Sequence, residues 1–111
     1  FGACCNTTST HGTQLSISSV GAYSPNPFGL SDMHGNVWEW CADCYRDTLE
    51  GQARNGEAFK EPPCSFRVIR GGYWGNGYPQ DLRSASRLKC LHTNRNFDIG
   101  FRVARSLSST P

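Results

Sequence analysis

The run Gly29-Leu-Ser-Asp-Met-His-Gly-Asn-Val-Trp-Glu-Trp40 constrains this chain more than any other stretch. On an extended strand Trp38 and Trp40 face one way and Glu39 faces the other. Gly35-Asn36 is a strong turn signal, and Asp32 places a second carboxylate seven positions before Glu39. The run therefore joins a heavy aromatic anchor to two acidic groups. Such an arrangement suits a core staple, a cation site, or both.

At 111 residues the chain is at most one domain. Apolar residues are 37% and mean hydropathy is -0.52, so the aliphatic core must be small. The aromatic share, 12% with three Trp, has to supply much of the buried area. Twelve Gly and six Pro argue against long helices and for a turn-rich architecture. A net charge of +2 and a pI near 8.3 are too mild to indicate nucleic acid or a membrane surface. No run approaches the length of a transmembrane helix, and no signal peptide is evident. The start at Phe1 leads us to expect a processed chain, a trimmed one, or a piece of something longer.

Six cysteines (Cys4, Cys5, Cys41, Cys44, Cys64, Cys90) are many for this length. The even count suits a disulfide framework in an oxidising compartment, with about 15 possible pairings. Cys41-Ala-Asp-Cys44 also has the spacing of half a zinc site or of a redox pair. No second such pair and no His-x-x-x-His completes a metal site, so small buried residues with one or two disulfides are expected. His11, His34 and His92 are scattered, each expected at the surface or in a turn.

Residues 1–27 are rich in Ser, Thr, Gly and Asn and read as an extended segment entering the Pro25-Asn-Pro27 turn. Residues 46–63 scatter charges among Gly51, Gly56 and Pro62-Pro63, which predicts a surface loop with at most a short helix. Phe66-Arg-Val-Ile-Arg70 predicts a strand, ended by Gly71-Gly72, a pair suited to positive φ or close backbone approach. The segment from Leu82 to Leu88 fits either a strand or a helix at this length. The segment from Ile99 to Ala104 predicts a final strand with Ile99, Phe101 and Val103 on one face. Short strands among long loops make a mixed α+β fold. So few strands cannot cover the tryptophan face from both sides, so part of the core is expected on polypeptide outside these residues.

Five segments occur in a telling order: Asn26-Pro-Phe-Gly-Leu30; Asp32-Met-His-Gly-Asn-Val-Trp-Glu-Trp40; Arg67-Val-Ile-Arg-Gly-Gly72 with Trp74; Leu82-Arg-Ser-Ala85 with Arg87; and Gly100-Phe-Arg-Val103. Together they resemble the C-terminal half of the formylglycine-generating enzyme (sulfatase-modifying factor) family. The resemblance implies that family's variant of the C-type-lectin-like fold, an α+β, loop-rich domain with a small antiparallel sheet. It implies that residues 1–111 are the C-terminal part of one such domain, with the N-terminal half as a missing partner. Trp38, Trp40, Gly71, Gly72, Trp74, Arg83, Arg87, Gly100 and Arg102 would form its framework.

Fold is not activity. Proteins resembling this chain include formylglycine-generating oxidases, sulfoxide synthases of the ergothioneine type, and binding proteins diversified by retroelements. The oxidases use a cysteine pair between the Gly-Gly turn and the Arg-Ser-Ala-x-Arg segment, to bind copper and engage a substrate cysteine. Between Gly72 and Arg87 this chain has no cysteine, Ser84 stands where the second thiol is expected, and Cys90 lies beyond Arg87. No catalytic residue is therefore assigned, and no copper is expected. The synthases hold iron with histidines of a separate domain, and no His cluster is visible here.

The diversified-binder reading draws on the region from Tyr73 to Ile99. Framework residues there alternate with Tyr73, Gly75, Gly77, Tyr78, Asp81, Leu88, Cys90, Leu91, His92, Thr93 and Phe97, taken as candidate ligand-binding positions. Aromatic and apolar side chains on glycine-rich loops suit a contact surface, since they give large area at low entropy cost. Ordinary loop packing is the competing explanation.

The resemblance also implies calcium, held by Asp32, the backbone carbonyls of Gly35 and Val37, and Glu39. Calcium takes six to eight hard oxygens, and this turn offers two carboxylates and two carbonyls. The competing explanation is that Asp32 caps the turn while Glu39 pairs with Arg70, Arg83 or Arg102. The leading expectation is a non-catalytic domain that binds an unknown ligand, expected to be a protein, at the cell surface or outside the cell. The alternatives are a formylglycine-generating or related modifying oxidoreductase completed by the missing half, and a structural accessory domain.

Overall fold

The computed structural model describes residues 5–6, 17–52, 54–75 and 79–105. Among them lie six short strands: β1 (Cys5–Asn6), β2 (His34–Gly35), β3 (Trp38–Cys44), β4 (Phe66–Arg70), β5 (Leu88–Leu91) and β6 (Ile99–Gly100). Strands β5, β4, β3 and β6 hydrogen-bond in that order into one sheet, while β1 and β2 form a separate parallel pair. The β5–β4–β3 part is antiparallel, and β6 joins β3 in parallel through Trp38 to Ile99 and Glu39 to Gly100. A 3-10 turn, Pro79–Leu82, supplies the helical structure seen among the described residues. Everything else is turn and loop. No helix among the described residues is long and apolar enough to cross a membrane.

The strand pattern explains the core. Trp38 and Trp40 share one face of β3, and Trp40 stands opposite Ile69 on β4. Trp38, Ile69 and Cys90 are buried together, with Trp40, Tyr73 and Ile99 packed against them. Removing an indole such as Trp38 (5% exposed) from water is worth up to about 5 kcal/mol, at roughly 25 cal/mol per Å² over roughly 200 Å². In a core this small, that is a large share.

Two glycine-containing turns lock the anchor in place. Gly71 and Gly72 have φ of 91° and 75°, and Gly35 and Asn36 have φ of 82° and 65°. Their positive φ lets the two turns meet. Gly35 N–H donates to Gly71 O at 2.7 Å, and Trp74 N–H donates to Asn36 O at 3.0 Å. The Asn36 side chain, buried at 6% exposure, accepts from Ser18 N–H at 2.9 Å and donates to Ser18 O at 3.2 Å. His34 Nδ1 donates to Leu82 O at 2.5 Å, so this histidine tethers the 3-10 turn instead of standing free at the surface.

Arg102 closes the structure from the other end. Its Nε donates to Glu39 Oε2 at 2.6 Å and its Nη2 pairs with Glu39 Oε1. Its Nη1 and Nη2 reach the carbonyls of Ser31 and Asp32, each at 3.0 Å. The Glu39 hydrogen bond, outweighing the cost of burial, raises the Arg102 pKa above its ordinary value. One planar fork thus joins the segment after β6 to β3 and to the loop before β2.

Residues 46–63 form the expected surface loop, without a helix among its described residues. Asp43 Oδ1 accepts from Gln52 Nε2 and from Phe59 N–H, both at 3.0 Å. The Cys44–Cys64 disulfide, 20 residues apart, closes the loop and is worth about 3 kcal/mol for a ring of this size. Cys44 is therefore half of neither a zinc site nor a redox pair with Cys41, which has a free thiol, as does Cys90. Cys4 lies outside the described residues, and Cys5 is described only as backbone in β1.

Two expected elements differ. The segment from Leu82 to Leu88 is neither strand nor helix throughout: a 3-10 turn ends at Leu82 and β5 starts at Leu88. The last strand stops at Gly100: β3 runs on to Cys44, but its pairing with β6 ends at Glu39 and Gly100, and Phe101 and Val103 are 75% and 86% exposed. Alternation alone does not make a strand.

Arg102→Lys keeps the charge but loses the fork. Charged hydrogen bonds are worth roughly 1.5–3 kcal/mol each, but the pair is part-exposed, 38% and 21% at the two side chains, so a net loss of about 1–2 kcal/mol is expected. That corresponds to a melting temperature lower by about 5–10 °C, readable by calorimetry. A second outcome concerns Cys41, whose thiol pKa is pushed up, chiefly by burial and against the lowering effect of Arg70. The neutral thiol is favoured in the fold, so its contribution to stability holds below the unfolded cysteine's pKa and fades as pH rises through the folded value. Alkylation of Cys41 with iodoacetamide should show its pH midpoint above that of the same cysteine in the urea-unfolded chain.

Candidate functional site

Three arrangements on this framework could act chemically or bind. The first is the concavity beside the Arg102 clamp. All four residues expected to hold calcium, Asp32, Gly35, Val37 and Glu39, line it, together with Arg102. Asp32 itself sits at φ 56°, and its Oδ2 accepts from Gly21 N–H at 2.7 Å. Among the three arginines considered for Glu39, Arg102 holds it. Arg70, opposite Glu39 across the β3–β4 ladder, donates its Nε to Ser86 O at 3.2 Å, and Arg83 Nε donates to Gln80 O at 3.3 Å within its own turn.

The four candidate donors present only oxygen, which suits a hard cation and not zinc or copper. Two carboxylates against one guanidinium leave a formal charge of −1. Each Glu39 oxygen keeps lone-pair capacity after accepting from Arg102, so the residues present fit a calcium whose shell water would complete. Among the described residues no cluster of three His, Cys, Asp or Glu forms a softer metal site.

The second arrangement is the set of candidate contact residues. Leu88 and Leu91 on β5 are 41% and 43% exposed, His92 and Thr93 in the turn after it are exposed, and Phe97 is 73% exposed. Asp81 is half-buried in the 3-10 turn. Gly77 and Tyr78 lie outside the described residues. Cys90 does not belong with the others: it is 8% exposed, faces the core with Trp38 and Ile69, and accepts from Asn94 Nδ2 at 3.3 Å. Strand alternation turns it inward between Lys89 and Leu91.

Tyr73 and Gly75 are also more constrained than a contact surface requires. The Tyr73 ring stacks on Trp38 at 6.4 Å and meets Trp74 edge-on at 5.8 Å, and Trp74 reaches Phe97 at 6.3 Å. An aromatic ladder thus runs from the buried core to an exposed ring. A Cβ on Gly75 would stand 2.6 Å from Tyr73 Cε2, so the glycine makes room for that ring. Gly100 similarly lies under Val37, 3.1 Å from a built Cβ to Cγ2.

The third arrangement has no counterpart among the expected site residues. Arg46, Arg70 and Arg87 line one concavity with Asp43 and the free Cys41. Arg87 was expected only as framework, and Arg46 as part of a polar loop. The available signal was weak: arginines on three separate segments, which only the β4–β5 pairing and the loop closure bring together.

Comparison with known proteins follows the same outline. Residues 4–107 match the family described as "Sulfatase-modifying factor enzyme 1-like domain". The formylglycine-generating enzyme of Thermomonospora curvata is 62% identical over 92 residues, covering 77% of this chain and 30% of that protein. The structure of PvdO from Pseudomonas aeruginosa superposes with a TM-score of 0.81 at 39% identity, over 89% of this chain and 38% of that one. Treponema denticola variable protein 1 superposes with a TM-score of 0.67 at 30% identity, over 89% of this chain and 34% of that one. The chain spans between 14% and 38% of the length of the relatives and solved chains it matches. The curled, loop-rich α+β architecture is accordingly the C-type-lectin-like fold in its formylglycine-generating-enzyme variant. From the order of its motifs to the course of its sheet, the chain belongs to the sulfatase-modifying factor enzyme 1-like family.

Proposed function

We propose that this chain is a non-catalytic ligand-binding domain, a variable protein that displays contact residues on β5 and the loop following it. One observation carries the reading: Leu88, Leu91, His92, Thr93 and Phe97 are exposed on and after a strand whose Cys90 is buried in the core, and Phe97 packs against Trp74. A rigid base under variable side chains is what a display surface requires. The likeness to Treponema denticola variable protein 1 supports it. So does the lack of any cysteine between Gly72 and Arg87, which leaves the oxidase chemistry without its pair of thiols.

An enzymatic reading is favoured by the identity to the Thermomonospora curvata formylglycine-generating enzyme. In that reading, polypeptide outside these residues completes the site. A purely structural accessory domain is the third possibility. Phe28, Phe101 and Val103, 87%, 75% and 86% exposed, support the proposal that further chain of the same domain covers this surface. The Cys44–Cys64 disulfide supports an oxidising location, at the cell surface or outside the cell.

For the concavity beside Arg102 we propose an architectural calcium. Asp32, Glu39 and the carbonyls of Gly35 and Val37 would hold it, and its charge would draw the loop before β2 onto β3. It takes no part in a reaction.

Four measurements test these readings. Sister sequences, sought near a reverse transcriptase, should differ at Leu88, Leu91, His92, Thr93 and Phe97 while keeping Trp74, Gly75 and Cys90. Uniform sequences there, or copper-dependent oxidation of a cysteine peptide by the whole protein, would overturn the display reading. In melting experiments His92→Ala and Thr93→Ala should each change stability by less than about 0.5 kcal/mol, whereas Gly75→Ala should cost about 1–3 kcal/mol by overpacking against Tyr73. Millimolar EDTA should lower the melting temperature, and added calcium, but not magnesium, should restore it. An unmoved melting curve would rule out structural calcium.

A further inference from the structure

The irregularity in β3 opens space on the sheet face away from Trp38. Regular pairing puts Glu39 opposite Arg70 and Trp40 opposite Ile69, but Cys44 then falls opposite Arg67, so β3 bulges between Trp40 and Cys44. By strand alternation Cys41 and Val68 stand with Glu39 and Arg70, on the side turned away from Trp38 and Ile69. The folded-back 46–63 loop walls this side, held by the disulfide and by Asp43. What results is a concavity of about 230 Å³.

Its charge is unbalanced. Arg46, Arg70 and Arg87 line it against a single carboxylate, Asp43, leaving a formal +2. The Asp43 oxygen that faces the loop is already engaged by Gln52 and the Phe59 N–H. The three guanidinium groups rest on neutral partners. Arg70 donates to Ser86 O; Arg87 donates to Arg46 O at 3.2 Å and lies 5.5 Å from the centre of the Tyr45 ring; Arg46 lies 4.4 Å over the Phe59 ring. Lys89, outside the lining, places its Nζ 5.9 Å from the same Tyr45 ring and 5.6 Å from the Phe66 ring. Carbonyls and ring faces orient a guanidinium without neutralising it, so N–H groups are left to meet an anion. Leu49, Phe59, Val68 and Ala85 give the wall an apolar part, beside the polar Thr48 and Gln52.

We propose that this concavity binds a small organic acid, its phosphate or carboxylate head between Arg46, Arg70 and Arg87 and its short apolar body against Leu49, Phe59 and Val68. Arginine forks match both head groups, and the converging positive charge supplies affinity. The volume lies below the roughly 300–1,000 Å³ of drug-sized sites, which limits the occupant to a compact molecule. The site is separate from the display surface and does not depend on it.

Cys41, half-buried in the same wall, reports occupancy. Phenyl phosphate, benzoate and phenol are added to the whole protein, and alkylation of Cys41 by iodoacetamide is followed by mass spectrometry, with Cys90 as internal control. Phenyl phosphate or benzoate should slow Cys41 alkylation by about fivefold or more while leaving Cys90 unchanged, and phenol should do nothing. The more protective of the two acids identifies the preferred head. Arg70→Gln, Arg87→Gln and Arg46→Gln should each raise the protecting concentration about tenfold, whereas Arg95→Gln, on the exposed turn after β5, should not. Among the described residues the Arg46 side chain makes a ring contact alone, so its variant keeps the test open where the other two fail to fold. Protection by phenol as strong as by the acids, or protection by the acids that survives all three arginine changes, overturns the proposal. So does the absence of protection by either acid.

Discussion

Trp38 is buried only because the backbone on both sides of it is held by strands that come from far along the chain. Its own N–H donates to Asp98 O at 2.8 Å, β6 pairs with it in parallel, and β4 closes the other edge of β3. A parallel partner cannot come from a tight turn, so the chain must travel from Cys44 to Asp98 before the ring is enclosed. The long irregular stretch between them is thus a requirement of the topology. Arg102 and Asn36 then hold the end of the sheet to which that excursion returns. Their hydrogen bonds do what a larger apolar core would do in a longer domain.

Much of this was legible in the sequence because it rests on local chemistry. Trp38, Glu39 and Trp40 alternate, and a strand follows; Gly71-Gly72 ends β4 with positive φ because the backbone there must approach Met33 and Gly35. The motif order named the fold, since it records residues that share one framework. What was not legible depends on who pairs with whom. Alternation in Ile99 to Ala104 was real, but just two of those residues found a ladder. Leu88 was readable as the end of an uncertain segment and not as the start of β5, because its register is set by Phe66 to Ile69, twenty residues away. The pairing of Cys44 with Cys64 was one of many that spacing allowed. Of the arginines considered for Glu39, the one chosen is fixed by the parallel strand.

The candidate contact residues show the same division within a single segment. Leu88 to Thr93 reads as one patch along the chain, yet the pleat sends Cys90 into the core and leaves its neighbours outside. A position can lie among exposed neighbours and still have no room for another side chain. Gly75 is such a position for a different reason, since the Tyr73 ring occupies the place of its side chain.

The sheet therefore has two faces with different chemistry. One is aromatic and closed, and it carries the ladder from Trp38 through Tyr73 and Trp74 to Phe97. The other is cationic and open, with guanidinium groups resting on rings and carbonyls around the β3 bulge. The bulge connects the two. It lets Trp40 keep its register with Ile69 while moving Cys44 to within reach of Cys64, and the loop closed by that disulfide becomes the wall of the cationic concavity. The irregularity thus serves both faces, since the buried Cys44 at its far end also anchors the disulfide that closes the loop.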